Sequence, residues 1–353
     1  MTAQADDTAD LPDFVSIDAP LVPATDFAAL MPLRSIASKE LGAWIDKLNR
    51  CGVIVNRRNS PDLLGQLTQA MRRPMDTVLC GILDSDAGAC LNSALAAKFP
   101  LELTAGALLV GRLVGAKVTS CITDSRVVSG WLSKLRKTCA AVDVRVEPIL
   151  NDYPHSDPTL LTWGMTGRRL RPGRLPTEVG VVVLDGAAAV AVGRCALLEE
   201  SMTRVPLAVR DRVWHDAQFV TAPVGTTIAK IFEVLGVPLE GRALRVGDVL
   251  RDFQVKADQA MGHGELVIHC TPPRPNVNPS PCTRCGWCVD WCATKVHPAG
   301  VLEAAQSEDL HLAEQSGLEA CIECGVCSYV CPSQLPLLEG IRKMQAIAAA
   351  TNR

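Results

Sequence analysis

Apolar positions change period several times along the chain, and each change marks an expected part. Residues 1–34 hold Asp6, Asp7, Asp10 and Asp13 among several prolines with little periodicity, the composition of a loosely attached acidic arm. Ile36, Leu41, Trp44, Ile45 and Leu48 then recur at helical spacing and predict a helix over 35–48. A short apolar run at 51–56 predicts a strand, the polar stretch 57–61 a loop, and 62–71 a second helix. From 77 to 146, strand-length runs at 77–83, 117–122 and 142–146 alternate with helical stretches at 101–114 and 127–139. Strands separated by helices of that length argue for a parallel, wound α/β sheet.

The stretch 152–157, with Pro154 inside it and Pro158 just after, marks a linker, and a helix over 160–170 runs into the basic stretch Arg168 to Arg174. Beyond it the runs shorten. Strands are expected at 179–184, 188–192, 205–209, 218–222, 244–246 and 265–268, with one helix at 226–235 carrying Ile228, Ile231, Phe232 and Leu235 on one face. Several short strands about one helix describe an α+β module. Pro272, Pro273, Pro275, Pro279 and Pro281 make a stiff tether, and helices at 300–317 and 336–350 follow. The expected organisation is an arm at 1–34, an α/β domain at 35–174, an α+β module at 175–270, a tether at 271–281 and a final domain at 282–353.

Composition narrows the function classes. A hydrophobic content of 48% over 353 residues supplies a substantial core, and 4% aromatic makes that core mostly aliphatic. The net charge of −3 gives no global attraction to nucleic acid. The basic run 168–174 lacks interleaved aromatics, so it reads as a solvated loop or a patch for an acidic partner. The apolar stretches 103–116 and 179–193 are broken by Arg112 and Asp185 and are shorter than a bilayer crossing. No basic segment precedes an apolar run at the start of the chain. The expectation is a soluble cytoplasmic protein, free, peripheral at the inner membrane face, or within a larger assembly.

The chemistry lies near the end. Cys282, Cys285, Cys288 and Cys292 form one C-x2-C-x2-C-x3-C run, and Cys321, Cys324, Cys327 and Cys331 form another. This is the spacing by which thiolates hold cubane iron–sulfur clusters, and in two-cluster ferredoxins the last cysteine of each run ligates the other cluster. The expected sets are therefore Cys282, Cys285, Cys288 and Cys331 for one [4Fe-4S] cluster, and Cys321, Cys324, Cys327 and Cys292 for the second. Zinc sites favour two separated pairs of ligands, and disulfides need an oxidising compartment that nothing in the chain suggests. The other cysteines, Cys51, Cys80, Cys90, Cys121, Cys139, Cys195 and Cys270, lack ligand spacing and read as small buried hydrophobes. His297 and His311 flank the spacer without ligand spacing to either run. Trp287 and Trp291 lie inside the first run, where they either screen a cluster from water or pack on the tether. Ala293 follows Cys292 where ferredoxins usually have proline.

With these parts in order, the chain resembles the C subunit of the Rnf electron-transport complex. More distantly it resembles the flavin- and NADH-binding subunit of respiratory complex I and the cobalamin reductase of propanediol utilisation. Residues 321–336, CIECGVCSYVCPSQLP, look very like the second Rnf cluster motif. Residues 175–183, LPTEVGVVV, look like the entry to the family's β-grasp module of the soluble-ligand-binding type, and 222–227, APVGTT, like that module's helix entry. The resemblance implies a wound α/β domain of the complex I flavin-subunit type, a β-grasp module and a C-terminal helical dicluster ferredoxin.

One departure bears on function. The family's glycine-rich loop, which cradles the flavin phosphate and admits NADH, falls on Asn56-Arg57-Arg58-Asn59-Ser60-Pro61, without a glycine. Of a second flavin-contacting stretch only Gly81, Asp84 and Asp86 match. Arg57 and Arg58 read as exposed and solvated. FMN and NAD are therefore not expected, and the expected function is electron transfer between redox protein partners. A complete flavin-dependent NADH or cobalamin reductase, and an assembly protein with structural clusters, are the alternatives.

Overall fold

The computed structural model describes residues 13–53, 55–85, 89–171, 173–211, 217–264, 266–275 and 277–351. They fall into two compact units: Met1–Leu170, Leu175–Val246 and Gln254–Pro272 form the first, and Arg171–Arg174, Gly247–Phe253 and Pro273–Arg353 the second.

The strands are β1 (Phe14–Ser16), β2 (Thr77–Ile82), β3 (Val118–Asp124), β4 (Arg145–Ile149), β5 (Val181–Asp185), β6 (Arg204–Arg210), β7 (Gln218–Pro223), β8 (Ala243–Val246), β9 (Phe253–Gln254) and β10 (Val267–Thr271). In the first unit a parallel sheet runs β4-β3-β2-β5, with Cys80 opposite both Cys121 and Leu184. Val78, Cys80, Ile82, Val182 and Leu184 face the main core, while Leu79, Leu83, Ile122, Val181 and Val183 face a smaller one with Leu161. Burial on both faces is why these strands read as continuous apolar runs rather than alternating ones. At the β5 edge, the buried Gln66 side chain acts as a backbone would. It donates to the Val183 carbonyl at 2.8 Å and accepts from the Val183 amide at 2.9 Å.

The strand expected at 179–184 thus belongs to the α/β sheet rather than to the α+β module. The strand expected at 188–192 is a helix, Gly186–Leu198. Its Ala-rich run is buried all round, so neither period shows, and its start is set by Asp185, whose carboxylate accepts the Ala188 N–H at 2.7 Å. The helix crosses Pro100–Val114 so closely that a Cβ on Gly106 would collide with the Ala189 carbonyl, and one on Gly193 with the Glu102 carbonyl. Only glycine allows that approach. A helix at Leu91–Lys98 was not expected. It meets Pro100–Val114 at 101°, and among the described residues no single helix is long and apolar enough to cross a membrane.

Other expectations shift. Residues 13–34 are not a free arm, since β1 pairs parallel with β7 and Leu30 and Leu33 are buried. The first helix begins only at Leu41, after three 3-10 turns, and ends at Arg50. The described part of 51–56 forms no strand. Cys51 and Gly52 make a turn that buries Val53 and Val55. β4 starts at Arg145 rather than Val142 because Asp143, at φ 60°, first reverses the chain.

The other sheet has the order β1-β7-β6-β10-β8-β9 and is mixed. β1 and β7 are parallel, as are β6 and β10, whereas β7 with β6 and β10 with β8 are antiparallel. Helix Ile228–Val234, capped by the Thr227 hydroxyl, buries Ile228, Ile231 and Phe232.

The second unit is helical. Pro298–Ser307, Leu310–Gln315 and Leu337–Thr351 bury a small core of Val296, Val301, Ala304, Ala313, Ile341 and Met344. The single helix expected at 300–317 breaks at Glu308, in the left-handed region at φ 56°, and Asp309 caps the next by accepting the Leu312 N–H. Residues 272–275 and 277–281 are exposed and hold neither helix nor strand, as a proline tether would.

Candidate metal centres

The two cysteine runs fold as repeats of one another. In the first, Arg284 (φ 56°), Gly286 (83°) and Lys295 (59°) are left-handed, and in the second Glu323 (50°), Gly325 (80°) and Gln334 (52°) occupy the same places. A short helix follows each glycine, Trp287–Asp290 and Val326–Val330. Each left-handed turn aims a backbone N–H back at the first cysteine of its run. Arg284 N–H points to Cys282 Sγ at 3.4 Å and Glu323 N–H to Cys321 Sγ at 3.2 Å. Val296 N–H points to Cys292 Sγ at 3.3 Å. Such bonds orient a ligating thiolate and tune the potential of what it holds.

Cys292, Cys321, Cys324 and Cys327 together line one pocket, with Val296, Ile322, Leu338 and Ile341 also in its wall. Cys288 has the thiols of Cys285, Cys331 and Cys282 as neighbours. Burial pushes the thiols of Cys321 and Cys327 up to about 12 and raises that of Cys288, so these ligands must release protons as they bind iron. Four thiolates around one cavity suit an iron–sulfur cluster. Among the described residues no three His, Cys, Asp or Glu side chains gather as a single ion would require.

Burial differs between the groups. Cys324 and Cys327 are buried, whereas Cys282 and Cys285 are exposed. Trp287 and Trp291 are 52% and 65% exposed, and Tyr329 in the second run is 74% exposed. Arg342, which periodicity alone would pass over, steadies the second run. Its guanidinium approaches Glu323 at 3.4 Å, donates to the Arg251 carbonyl at 2.9 Å and covers the Phe253 ring. His311 bonds Gln315 at 2.9 Å, and the His297 N–H bonds the Ser316 carbonyl at 2.9 Å. Of the remaining cysteines five are buried, while Cys51 and Cys90 are only partly covered.

In the first unit the loop at 56–61 is closed on itself, Arg57 and Ser60 exchanging backbone hydrogen bonds at 2.8 and 3.1 Å. Arg57 is not solvated. Its side chain is 7% exposed and donates from Nε (3.0 Å) and Nη2 (2.6 Å) to Asp185, and from Nη1 to the His263 carbonyl at 3.0 Å. Asp84 caps helix Leu91–Lys98, accepting the Asn92 N–H at 2.7 Å and the Ser93 hydroxyl at 2.7 Å. Asp86 lies outside the described residues. Arg168, from the basic run, grips Asp76 through two hydrogen bonds at 2.8 and 2.7 Å.

These features place the cysteine runs in a recognised class: residues 281–336 match the family described as "4Fe-4S dicluster domain". The resemblance to the Rnf C subunits and the cobalamin reductases is shown across more of the chain. It is 29% identical over 244 residues to the C subunit of the ion-translocating oxidoreductase complex of Pasteurella multocida, covering 65% of this chain and 28% of that protein. It is 29% identical over 202 residues to the C subunit of the Na(+)-translocating ferredoxin:NAD(+) oxidoreductase complex of Acetobacterium woodii, covering 51% and 44%. It is 25% identical over 214 residues to the cobalamin reductase PduS of Salmonella typhimurium, covering 54% and 47%. The chain thus spans less than half the length of each of these relatives. Among solved structures, an NAD+-reducing [NiFe]-hydrogenase in the H2-reduced state superposes with a TM-score of 0.57 at 12% identity, over 91% of this chain and 63% of that one. This last likeness is one of fold.

Proposed function

We propose that the chain is an electron-transfer subunit of an oxidoreductase complex, relaying single electrons between protein partners by way of two [4Fe-4S] clusters. The observation that carries this reading is that Cys292 lines the pocket of Cys321, Cys324 and Cys327 while Cys288 feels the thiols of both Cys285 and Cys331, which supports crossed ligation of two clusters. Each cluster, when bound, supplies a one-electron carrier. The left-handed turns hold the thiols and their N–H donors in place, and Ile322, Leu338 and Ile341 make the wall of the second group apolar.

The α/β layer is read as a flavin-type domain that no longer binds flavin. Side chains occupy every position of the loop at 56–61, and Pro61 has no N–H to offer a phosphate. Arg57 and Asp185 neutralise each other, and Asp84 holds a helix end. The mixed sheet around helix Ile228–Val234 supports the β-grasp reading. Partners are redox subunits, and the setting is the cytoplasm or the inner membrane face. The test is anaerobic purification with metal, sulfide and flavin analysis. About eight iron atoms per chain and no flavin are expected. Flavin bound one to one below the micromolar range, with NADH reducing the clusters, would instead make the chain a complete reductase.

A further inference from the structure

We propose that the group of Cys282, Cys285, Cys288 and Cys331 is where electrons enter or leave the chain, and that a small acidic one-electron carrier protein docks there on Trp287, Trp291, Tyr329 and Arg284. This rests on the electron-transfer reading and adds to it a face, the chemistry of the partner and the order of the two centres.

The first observation is the asymmetry of burial. Cys282 and Cys285 are exposed, while Cys324 and Cys327 of the other group are buried. Electron transfer weakens steeply with distance, so the centre with exposed ligands is the one a partner reaches, and the buried centre exchanges through it. The second is the aromatic rim. Trp287, Trp291 and Tyr329 are more than half exposed, in a chain with few aromatics. Trp287 lies on helix Trp287–Asp290 and Tyr329 on Val326–Val330, which pack together, so the rim draws on both cysteine runs. Large exposed aromatics clustered with an arginine are the side chains that carry interface energy.

Charge selects the occupant. Between 282 and 297 the exposed ionic side chains are Arg284, Asp290 and Lys295, a net positive rim, and Lys295 donates to the Asp290 carbonyl rather than to its carboxylate. From 303 to 319 the ionic side chains are all acidic: Glu303, Glu308, Asp309, Glu314 and Glu319. The exposed cysteines thus lie in the segment with the basic excess, whereas the spacer after them is acidic, with only its Glu308 paired to Lys343. A partner with an acidic rim around its own centre is steered to that segment and away from the acidic spacer. Two basic side chains are too few to hold the chain on an anionic membrane, where each contributes about 1 kcal/mol.

The test follows reduction of the anaerobically loaded full chain by stopped flow, with two reductants. One is a chemically reduced acidic [2Fe-2S] ferredoxin and the other is dithionite. Variants are Trp291→Ala with Tyr329→Ala, Arg284→Glu, and Glu303→Gln on the spacer as a control, each assayed for iron first. Dithionite should reduce all of them fully, and its rate, read at high salt because its radical is itself an anion, corrects the ferredoxin rates for any shift in the centre beside Arg284. Ferredoxin should reduce the aromatic double variant and Arg284→Glu about tenfold more slowly at low salt, the Arg284→Glu deficit shrinking as salt rises, with Glu303→Gln unaffected. Ferredoxin rates unchanged in Arg284→Glu and in the aromatic variant, or a wild type reduced by dithionite but not by ferredoxin, would overturn the docking proposal alone. Should the aromatic variant fail to load iron, Arg284→Glu decides. A wild type that dithionite cannot reduce would bring down the electron-transfer reading itself. Self-association that tracks Arg284 would show a second copy to be the occupant and overturn the proposal as stated.

Discussion

Replacing Arg57 with alanine asks whether that cation is committed to the fold or free for a ligand. In the native chain its guanidinium makes two hydrogen bonds to Asp185, the side chains being 7% and 8% exposed. Its removal leaves the Asp185 carboxylate with the Ala188 N–H at the start of helix Gly186–Leu198. Breaking a buried pair by deleting one partner costs about 3–5 kcal/mol. The retained cap and helix N-terminus offset about 1 kcal/mol of that, leaving about 3 kcal/mol. For a unit of this size the melting temperature should fall by roughly 6–12 °C. The assay is a double-mutant cycle of Arg57→Ala, Asp185→Asn and both together, read by urea unfolding with circular dichroism at neutral pH. The double variant should be more stable than the sum of the singles predicts, by about 2 kcal/mol. A cost below about 0.5 kcal/mol for Arg57→Ala, the range of ordinary surface substitutions, or additive singles would refute the reasoning and leave Arg57 available to an anion.

Three further outcomes are expected. Gly106→Ala or Gly193→Ala forces the two central helices apart and should cost about 1–3 kcal/mol or more by the same urea assay, because the obstacle is backbone. Cys331→Ser should abolish the paramagnetic signal of the centre built on Cys282, Cys285 and Cys288 while sparing the other, although it lies in the second run; loss of the opposite signal would refute the crossed ligation. The hydrogen bonds from Arg168, the largest cause, hold the Asp76 carboxyl below the ordinary carboxylate range. A depressed folded pKa adds stability that is present above the unfolded value of about 3.9 and lost as pH falls through the folded value. Asp76→Asn should therefore flatten the acid limb of the stability profile, by under about 1 kcal/mol for so exposed a pair, and leave the alkaline limb unchanged.

What the sequence showed and what it hid divide along physical lines. Cysteine spacing is a local constraint, so both runs could be read directly, and the family likeness followed from the same residues. β2, β3, β6, β7 and β10 lay within a few residues of their expected places, because apolar runs bounded by turns survive any packing. Gly186–Leu198 was misread because a helix buried on all sides shows no period, and its neighbour Pro100–Val114 was legible mainly by its length. β1 was missed for the opposite reason: three residues gain their pairing only from β7, more than two hundred positions away. Arg57 looked solvated because its partner Asp185 is 128 positions distant. Nothing local distinguishes a committed arginine from a free one.

The most direct test of the central claim is a potentiometric titration of the anaerobically purified, flavin-free chain, followed by electron paramagnetic resonance. The account predicts two separable one-electron signals, each reversible over repeated cycles and each appearing at potentials that protein carriers reach. A chain whose clusters hold iron yet stay silent throughout that range, or break down on reduction, would contradict it and leave them a structural role.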